Sequence, residues 1–595
     1  VNHFEVVGCL AHGGVGWIYL SRDLNLNGSW RVLKGLRDTS DIGAWQAVVA
    51  ERHFLAQVDH PNIVKIYDFV DRTDQVTGSV AGYLVMEYVG GRSLQQLLTA
   101  QRAADGSPIP LPLPHVLTYG AELLSALSYL HGRGLLHCDI KPDNIIHGED
   151  RLKLIDLGAV RHQHDRTGPV WGSSGYQARE VARSGPTIQS DLYSVGRTLA
   201  VLSLGTRILS ADEPPDPTSA PLLARENSYL RLLRRATDPE PRRRFASATQ
   251  MREQLLGVMR EVLSAADGRP RPIPSTLFSP QPRTFGTDDA GNMLTELDPV
   301  AVALALSVPL VDLTDPAASF LGTVAYPDPE EVLTALTASG MSTVEIVLRM
   351  VRAYIDKGDV SAAATQLAGL LPKHEDDWRV AWYRGVASLA ARELGAALEA
   401  FDTVYNQLPG EIDVKLAFAA TAEMVGDAAL GAALYERIWF NHRDYVSAAF
   451  GTARIRLADH DWRSAVEVLK SVPHTSSHHL AAQVAAVHIR LQAADLAQLP
   501  ATELTEAGEL ISRLGLDQER RTRTRIEVLL RALEWVRVQQ ENPDVRVLNC
   551  PLTSRDLRLR LEKEYRTLAL SAPPASAERI RLVDRANAVR PRTLV

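Results

Sequence analysis

His137-Cys-Asp-Ile-Lys-Pro-Asp-Asn144, followed ten residues on by Leu154-Ile-Asp-Leu-Gly158, decides the fold of this chain. Asp139 is spaced to accept or orient the proton of a substrate hydroxyl. Asn144 and Asp156 are spaced to hold metal ions that bridge nucleotide phosphates, and Lys141 to neutralise charge on a transferred group. The nucleotide that suits this set is ATP, with Mg2+ or Mn2+ as the metal.

The residues upstream fit the same chemistry. Leu10-Ala-His-Gly-Gly-Val-Gly-Trp-Ile-Tyr19 lies between two runs that read as strands. Its glycines would let backbone N–H groups approach phosphates, which makes Ala11, His12, Gly13, Gly14, Val15 and Gly16 candidate nucleotide contacts. A tight hairpin with no ligand has the same composition. The strand Arg31-Val-Leu-Lys34 then ends in a lysine suited to gripping phosphate oxygens, and Glu51 on the following helix, about Ile42 to Val58, is suited to holding that lysine. Each of these residues taken singly reads as a solvated surface charge; their order carries the signal. Further β-rich runs, Phe4 to Cys9, Trp17 to Arg22, Trp30 to Leu36, Ile63 to Val70 and Tyr83 to Tyr88, predict a small antiparallel sheet. From Leu113 the patterns are mainly helical, interrupted by a loop-like stretch from His137 to Ser184.

With Lys34, Glu51, Asp139, Asn144 and Asp156 in this order behind a glycine loop, residues 1 to about 265 resemble eukaryotic-like protein kinases. The resemblance implies a bilobal α+β fold with a small lobe of about residues 1–90 and a large lobe of about 91–265. It implies that Met86 is the gatekeeper, that Glu87-Tyr-Val89 is the hinge meeting adenine, and that Val32 contributes to the same nucleotide site. Gly172-Ser-Ser-Gly-Tyr-Gln-Ala-Arg-Glu180 matches the end of an activation segment, with Ser173 bridging Asp139 and Lys141. Asp191 matches the aspartate that braces the catalytic loop, and Arg242 the partner of Glu180. Lys141-Pro142 resembles serine/threonine rather than tyrosine kinases. Ala11 replaces the first loop glycine, Leu157 the usual Phe and Arg179 the usual Pro. Cys138 replaces the arginine that normally receives an activation-loop phosphate, which predicts activity without phosphorylation at Thr167 or Ser174. Cys138 reads as a buried, inert thiol, with a redox sensor as the alternative.

Beyond residue 265 the character changes. Gly268-Arg-Pro-Arg-Pro-Ile-Pro274 and Ser279-Pro-Gln-Pro282 cannot continue a helix, so residues 266–340 read as a linker or tether. Thereafter a period of 34 residues emerges: Asp359, Glu393, Asp427 and Asp461; Ala363, Ala397, Gly431 and Ala465; Leu367, Phe401, Tyr435 and Leu469. That period is the tetratricopeptide repeat (TPR), in which small residues let paired helices approach and large apolar ones fill the groove between repeats. An amphipathic helical domain with coincidental spacing is the bland alternative. Residues 341–475 are thus read as TPR repeats and 476–595 as a helical extension of the solenoid that has lost the register. Composition agrees with a multidomain protein: 595 residues, 45% apolar, 23% charged and a net charge of −7 exclude a nucleic-acid coat or a disordered chain. No run approaches the roughly 18 apolar residues of a membrane span, no signal peptide is visible, and three scattered cysteines make no disulfide framework. A cytoplasmic protein without nucleic-acid partners is expected.

The combination of Ala-His-Gly-Gly-Val-Gly-Trp-Ile-Tyr19, Val32-Leu-Lys-Gly-Leu36, Cys138, Asp156-Leu-Gly-Ala-Val160 and a carboxy-terminal TPR region resembles the actinobacterial protein kinase G family over nearly the whole chain. Members usually begin with an autophosphorylated tail and a rubredoxin-like metal domain with two CxxC pairs. These 595 residues contain neither, so either the chain was trimmed at the kinase boundary or this homologue lacks redox control. The resemblance implies a serine/threonine kinase that regulates central carbon and glutamate metabolism through a small forkhead-associated (FHA) regulator, with the TPR region recruiting substrate or forming a homodimer. Two rivals are a pseudokinase scaffold whose solenoid is the functional part, against which intact Lys34, Asp139, Asn144 and Asp156 argue, and a small-molecule phosphotransferase, against which Lys141-Pro142 argues.

Overall fold

The computed structural model describes residues 1–13, 16–35, 53–73, 80–100, 102, 106, 109–165, 172–205, 220–288, 292–492 and 496–591. They form two compact units: Val1–Gly268 together with Asn406–Glu411, and Arg269–Tyr405 together with Ile412–Val595.

The first unit opens with strands β1 (Phe4–Gly13), β2 (Gly16–Asp23), β3 (Ser29–Gly35), β4 (Ile66–Thr73) and β5 (Val80–Glu87). They make one antiparallel sheet in the order β1-β2-β3-β5-β4. Asn27 and Gly28, both with positive φ, turn the chain from β2 into β3. Because side chains alternate along a strand, Leu33 joins Phe4, Val70 and Val85 in a core on one face, while Val32 and Lys34 project from the other. Val32 lies opposite Met86 and Lys34 opposite Leu84, and a slip of one residue would send Lys34 to the wrong face. The helix expected over Ile42 to Val58 falls largely outside the described residues; its described end, His53–Gln57, is a 3-10 helix.

The large lobe is built on helices Leu113–His131, Ile188–Leu204, Asn227–Ala236 and Ala248–Asp267, whose apolar faces share one core with Val32, Met86, Leu154 and Leu157. The stretch expected to be a loop carries short strands: β7 (Leu135–Leu136) pairs with β10 (Arg161–His162), and β8 (Ile145–His147) lies between β6 (Arg92–Ser93) and β9 (Leu152–Leu154). Thr187 and Ser190 form a reciprocal capping box at the start of Ile188–Leu204. That cap fixes Asp191 in the first turn, facing the catalytic loop.

In the second unit the 34-residue columns acquire physical meanings. Val344–Lys357 pairs with Val360–His374, Trp378–Ala390 with Leu394–Gln407, Ile412–Val425 with Ala428–Asn441, and Val446–Ala458 with Trp462–Lys470. Asp359, Asp427 and Asp461 each cap the second helix of a pair, accepting the N–H of Ala362, Leu430 and Ser464. One residue earlier, Gly358, Arg392, Gly426 and His460 all adopt positive φ. Ala363, Ala397, Gly431 and Ala465 are buried, as are Leu367, Phe401, Tyr435 and Leu469. At Gly385 a methyl group would lie 2.7–2.9 Å from the Phe401 ring, so only glycine admits that approach.

Residues 269–340 are not a free tether. They contain helices Pro299–Ala305 and Pro329–Ala338, and Phe278 and Phe285 are buried. Phe278 packs against Trp378 and Trp382, with ring centroids 5.1 and 4.7 Å away. Ser447 Oγ accepts the Phe285 N–H at 3.0 Å, Ser307 Oγ donates to Asp413 Oδ1 at 2.5 Å, and Arg352 donates to Leu304 O at 3.0 Å. Every one of these contacts falls on the first helix of a repeat pair, so the segment is a strap across the solenoid. Proline stops helices but does not prevent extended chain from packing its aromatic residues. The extension beyond 475 is helical over His479–Gln492, Ala501–Arg513, Gln518–Val538, Ser554–Ser571 and Ala577–Val589, but it also holds a hairpin, β11 (Asn542–Val547) with β12 (Cys550–Leu552). Leu548 and Asn549, both at positive φ, form its two-residue turn.

Candidate active site

Three segments distant in sequence converge through the backbone. The β8–β9 hairpin sets the end of the catalytic loop beside the metal-binding candidate, with Ile155 N–H donating to Asn144 O at 2.9 Å. Asp191, fully buried at the start of its helix, accepts from the backbone N–H of His137 (2.8 Å) and Cys138 (2.9 Å) and from His131 Nε2 (3.0 Å). Burial pushes its carboxyl up, but the hydrogen bond and charge of His131 and the donors of the loop outweigh this and hold it below the ordinary aspartate value. Asp191 thereby anchors the chain immediately before Asp139, where Cys138 sits at a positive φ of 66°.

Asp139 is held from three sides. Its Oδ1 accepts Ser173 Oγ at 2.8 Å; its Oδ2 accepts Lys141 Nζ and Asn144 Nδ2, each at 2.9 Å. Lys141 Nζ also donates to Ser173 Oγ at 2.6 Å, and Asn144 Nδ2 to Asp139 O at 2.8 Å. Fixed in this way, a carboxylate can receive a hydroxyl proton without reorganising.

Lys34 reaches out of β3 to Asp156, Nζ to Oδ1, at 2.6 Å. The same oxygen accepts Gly158 N–H at 2.8 Å, and a methyl group on Gly158 would lie 2.9 Å from it, so the close turn requires glycine. Burial raises the Asp156 carboxyl, but Lys34 and the Gly158 N–H outweigh it and keep the group ionised, below its ordinary value. Glu51, the expected partner of Lys34, lies outside the described residues. Asn144 Oδ1 and Asp156 Oδ2 accept no hydrogen bond from another described side chain, and hard oxygens of this kind suit Mg2+. Among the described residues no three His, Cys, Asp or Glu side chains surround a common point.

In the glycine hairpin, Ala11 is exposed and pairs with Ile18, and the hairpin closes through His12 with Trp17 and Gly13 with Gly16. Gly14 and Val15 lie outside the described residues. Val32 and Met86, 8% and 7% exposed, face one another across β3 and β5, and Val89 packs against the same core. Glu87 is fixed by Lys153 Nζ at 2.7 and 2.8 Å.

Two assignments change. Glu180 pairs with Arg244 (2.6 and 3.1 Å), not Arg242. Arg242 lies in the 3-10 turn Pro241–Arg243 and points to solvent beside Glu240, whereas Arg244 is buried over the Tyr193 ring. The signal was present in Arg242-Arg243-Arg244-Phe245: the arginine adjoining the apolar Phe245 is the inward one. Second, Arg161 is a cation acting on Cys138 that sequence spacing did not bring forward. Burial, followed by Asp191 and Asp139, nonetheless drives the Cys138 thiol well above its ordinary value, so it remains protonated and unreactive.

Comparison with known proteins agrees with both halves of this architecture. The protein kinase domain profile matches residues 4–267, and the protein kinase G tetratricopeptide repeat profile matches residues 272–593. Serine/threonine-protein kinase PknG of Mycobacterium leprae is 40% identical over 612 residues, spanning 99% of this chain and 79% of the relative. The PknG of Mycolicibacterium smegmatis matches with the same identity and coverage. Among solved structures, the Mycobacterium tuberculosis PknI kinase domain is 26% identical, covering 43% of this chain and 96% of that one, with a TM-score of 0.34. With kinase lobes, strap and solenoid all falling within one continuous stretch of similarity, the chain belongs to the PknG family of serine/threonine-protein kinases.

Proposed function

We propose that this protein transfers the γ-phosphoryl group of ATP to a serine or threonine hydroxyl of a protein, with Asp139 as the group that receives the hydroxyl proton. The observation that carries this reading is the three-sided hold on Asp139 by Ser173, Lys141 and Asn144. The substrate oxygen forms a bond to the γ-phosphorus as the bond to the ADP oxygen breaks, and the hydroxyl proton passes to an Asp139 oxygen. Lys141 offsets charge on the phosphoryl group in flight, and Lys34 grips the phosphates of the bound nucleotide. A divalent ion, Mg2+ in this reading, would be held by Asn144 Oδ1 and Asp156 and would supply charge neutralisation to the phosphates. Val32, Met86, Glu87 and Val89 form the adenine end, and the hairpin Ala11 to Gly16 covers the phosphates. The test is transfer from labelled ATP to a basic protein or to the chain itself. Asp139→Asn should lower it by the ~10²- to 10⁴-fold assigned to general base catalysis, and a variant as fast as wild type would remove Asp139 from this role.

Family membership supports a further assignment: a cytoplasmic kinase whose substrate is a small FHA-domain regulator of central carbon and glutamate metabolism, recruited by the TPR region, which also offers a homodimer surface. No helix among the described residues is long and apolar enough to cross a membrane. Phosphorylation of an FHA protein by full chain, compared with residues 1–268 alone, tests the recruitment.

A further inference from the structure

The described part of the activation segment is tied to the rest of the large lobe at both ends by protein groups. At its far end Ser173 joins Asp139 and Lys141, Arg197 Nε donates to Gly175 O at 2.8 Å, and Glu180 pairs with Arg244. At its near end β10 pairs with β7, the strand that leads into His137-Cys138-Asp139, and Gln163 N–H donates to Gly134 O at 2.8 Å. Arg161 lies on that ribbon. Its side chain is only 10% exposed, and its Nη2 donates to Asp165 Oδ2 at 2.9 Å; the Asp165 side chain is 30% exposed. Asp165 also closes a turn through its N–H to His162 O at 3.0 Å. The cation beside Cys138 is thus already matched to a carboxylate of the segment itself.

In kinases switched by phosphorylation, an added phosphate meets arginine and orders this segment. We propose that Asp165 is a positioning residue that supplies this negative charge from within the chain. Its carboxylate holds Arg161, Arg161 keeps β10 on β7, and β7 carries the register of the loop that presents Asp139. A carboxylate cannot be removed by a phosphatase, so the β10 end of the segment is held without any modification. The inference rests on the kinase reading above.

The test uses the full chain with Mg-ATP and histone as acceptor, comparing wild type with Asp165→Asn, Asp165→Glu, Arg161→Ala and the Asp165→Asn/Arg161→Ala double variant. Misplacing Asp139 should lower kcat of Asp165→Asn roughly tenfold to a hundredfold, while KM for ATP stays within about twofold. Asp165→Glu should recover most of kcat, and the double variant should be no slower than either single one. A wild-type kcat in Asp165→Asn overturns the proposal. So does an Asp165→Glu as slow as Asp165→Asn, losses that multiply in the double variant, or a fall in melting midpoint large enough to account for the lost rate. A wild type that transfers no phosphate overturns the kinase reading instead.

Discussion

Lys34 and Asp156, 122 residues apart in the chain, meet at 2.6 Å between Nζ and Oδ1. The small lobe supplies the cation and the large lobe the carboxylate, so one contact registers the glycine hairpin against the proposed metal site. Removing Lys34 takes away the cation that helps to hold the Asp156 carboxyl below its ordinary value.

Lys34→Ala leaves the half-buried Asp156 carboxyl with only the Gly158 N–H on that oxygen. We expect phosphoryl transfer to fall by at least about a hundredfold, measured as kcat/KM for ATP. The folded Asp156 pKa lies below the ordinary 3.8, so the contribution of the pair to stability is complete above 3.8 and is lost as pH falls from there through the lower folded value. At pH 7 the destabilisation of Lys34→Ala is therefore fully visible in a thermal melt, and an unchanged melt and rate would contradict this account.

Ser173→Thr keeps the hydroxyl that joins Asp139 Oδ1 and Lys141 Nζ, whereas Ser173→Ala removes it. The threonine variant should retain kcat, and the alanine variant should lose roughly tenfold to a hundredfold through misplacement of the carboxylate. KM for ATP should move little in both. Equal kcat in the two variants would show that the bridge does not position Asp139.

Arg244 and Arg242 separate cleanly in denaturation. Arg244→Ala leaves Glu180 without its cation and should cost about 3–5 kcal/mol, as for a broken buried pair. Arg242→Ala, at an 81% exposed side chain, should be nearly silent. Urea unfolding of both variants checks the difference, and a silent Arg244→Ala would refute the buried pairing.

His137 is fully buried, and burial holds it below the ordinary 6.5 despite Asp191, Asp156 and Asp139 nearby; burial lowers His60 also. Below pH 6.5 the unfolded chain takes up protons that the folded one refuses. Stability is then fully present above 6.5 and declines as pH falls, by up to about 1.4 kcal/mol per unit for the buried His137. Urea midpoints between pH 7 and 5, above the carboxylate range, should show the decline; a flat profile there would count against it.

Phe278→Ala distinguishes a strap from a tether. A flexible tether would lose nothing, whereas removing a ring packed on Trp378 and Trp382 should cost about 3–5 kcal/mol. Thermal unfolding of the full chain, followed through tryptophan fluorescence, reports on the environment of those two residues directly.

Much of the site was legible because its residues lie in short motifs whose spacing is itself the chemistry. Asp139, Lys141, Asn144 and Ser173 do converge, and Asp191 braces the loop as its match implied. The columns at Asp359, Ala363 and Leu367 were legible for a similar reason: cap, close approach and groove filler recur wherever the helix pair recurs. The β11–β12 hairpin escaped notice because its only local mark is Asn549 in a two-residue turn within a helical region.

The order of residues alone determined the kinase lobes, the solenoid and the identity of the groups around Asp139, since each depends on local periodicity or fixed spacing. Which of three consecutive arginines meets Glu180, that the proline-rich segment packs Phe278 against tryptophans, and that Arg161 finds Asp165 beside Cys138 were decided by tertiary structure. The reason is physical. A charge or an aromatic ring acquires its role from burial and from the partner brought to it through space, and neither is written in its immediate neighbours along the chain.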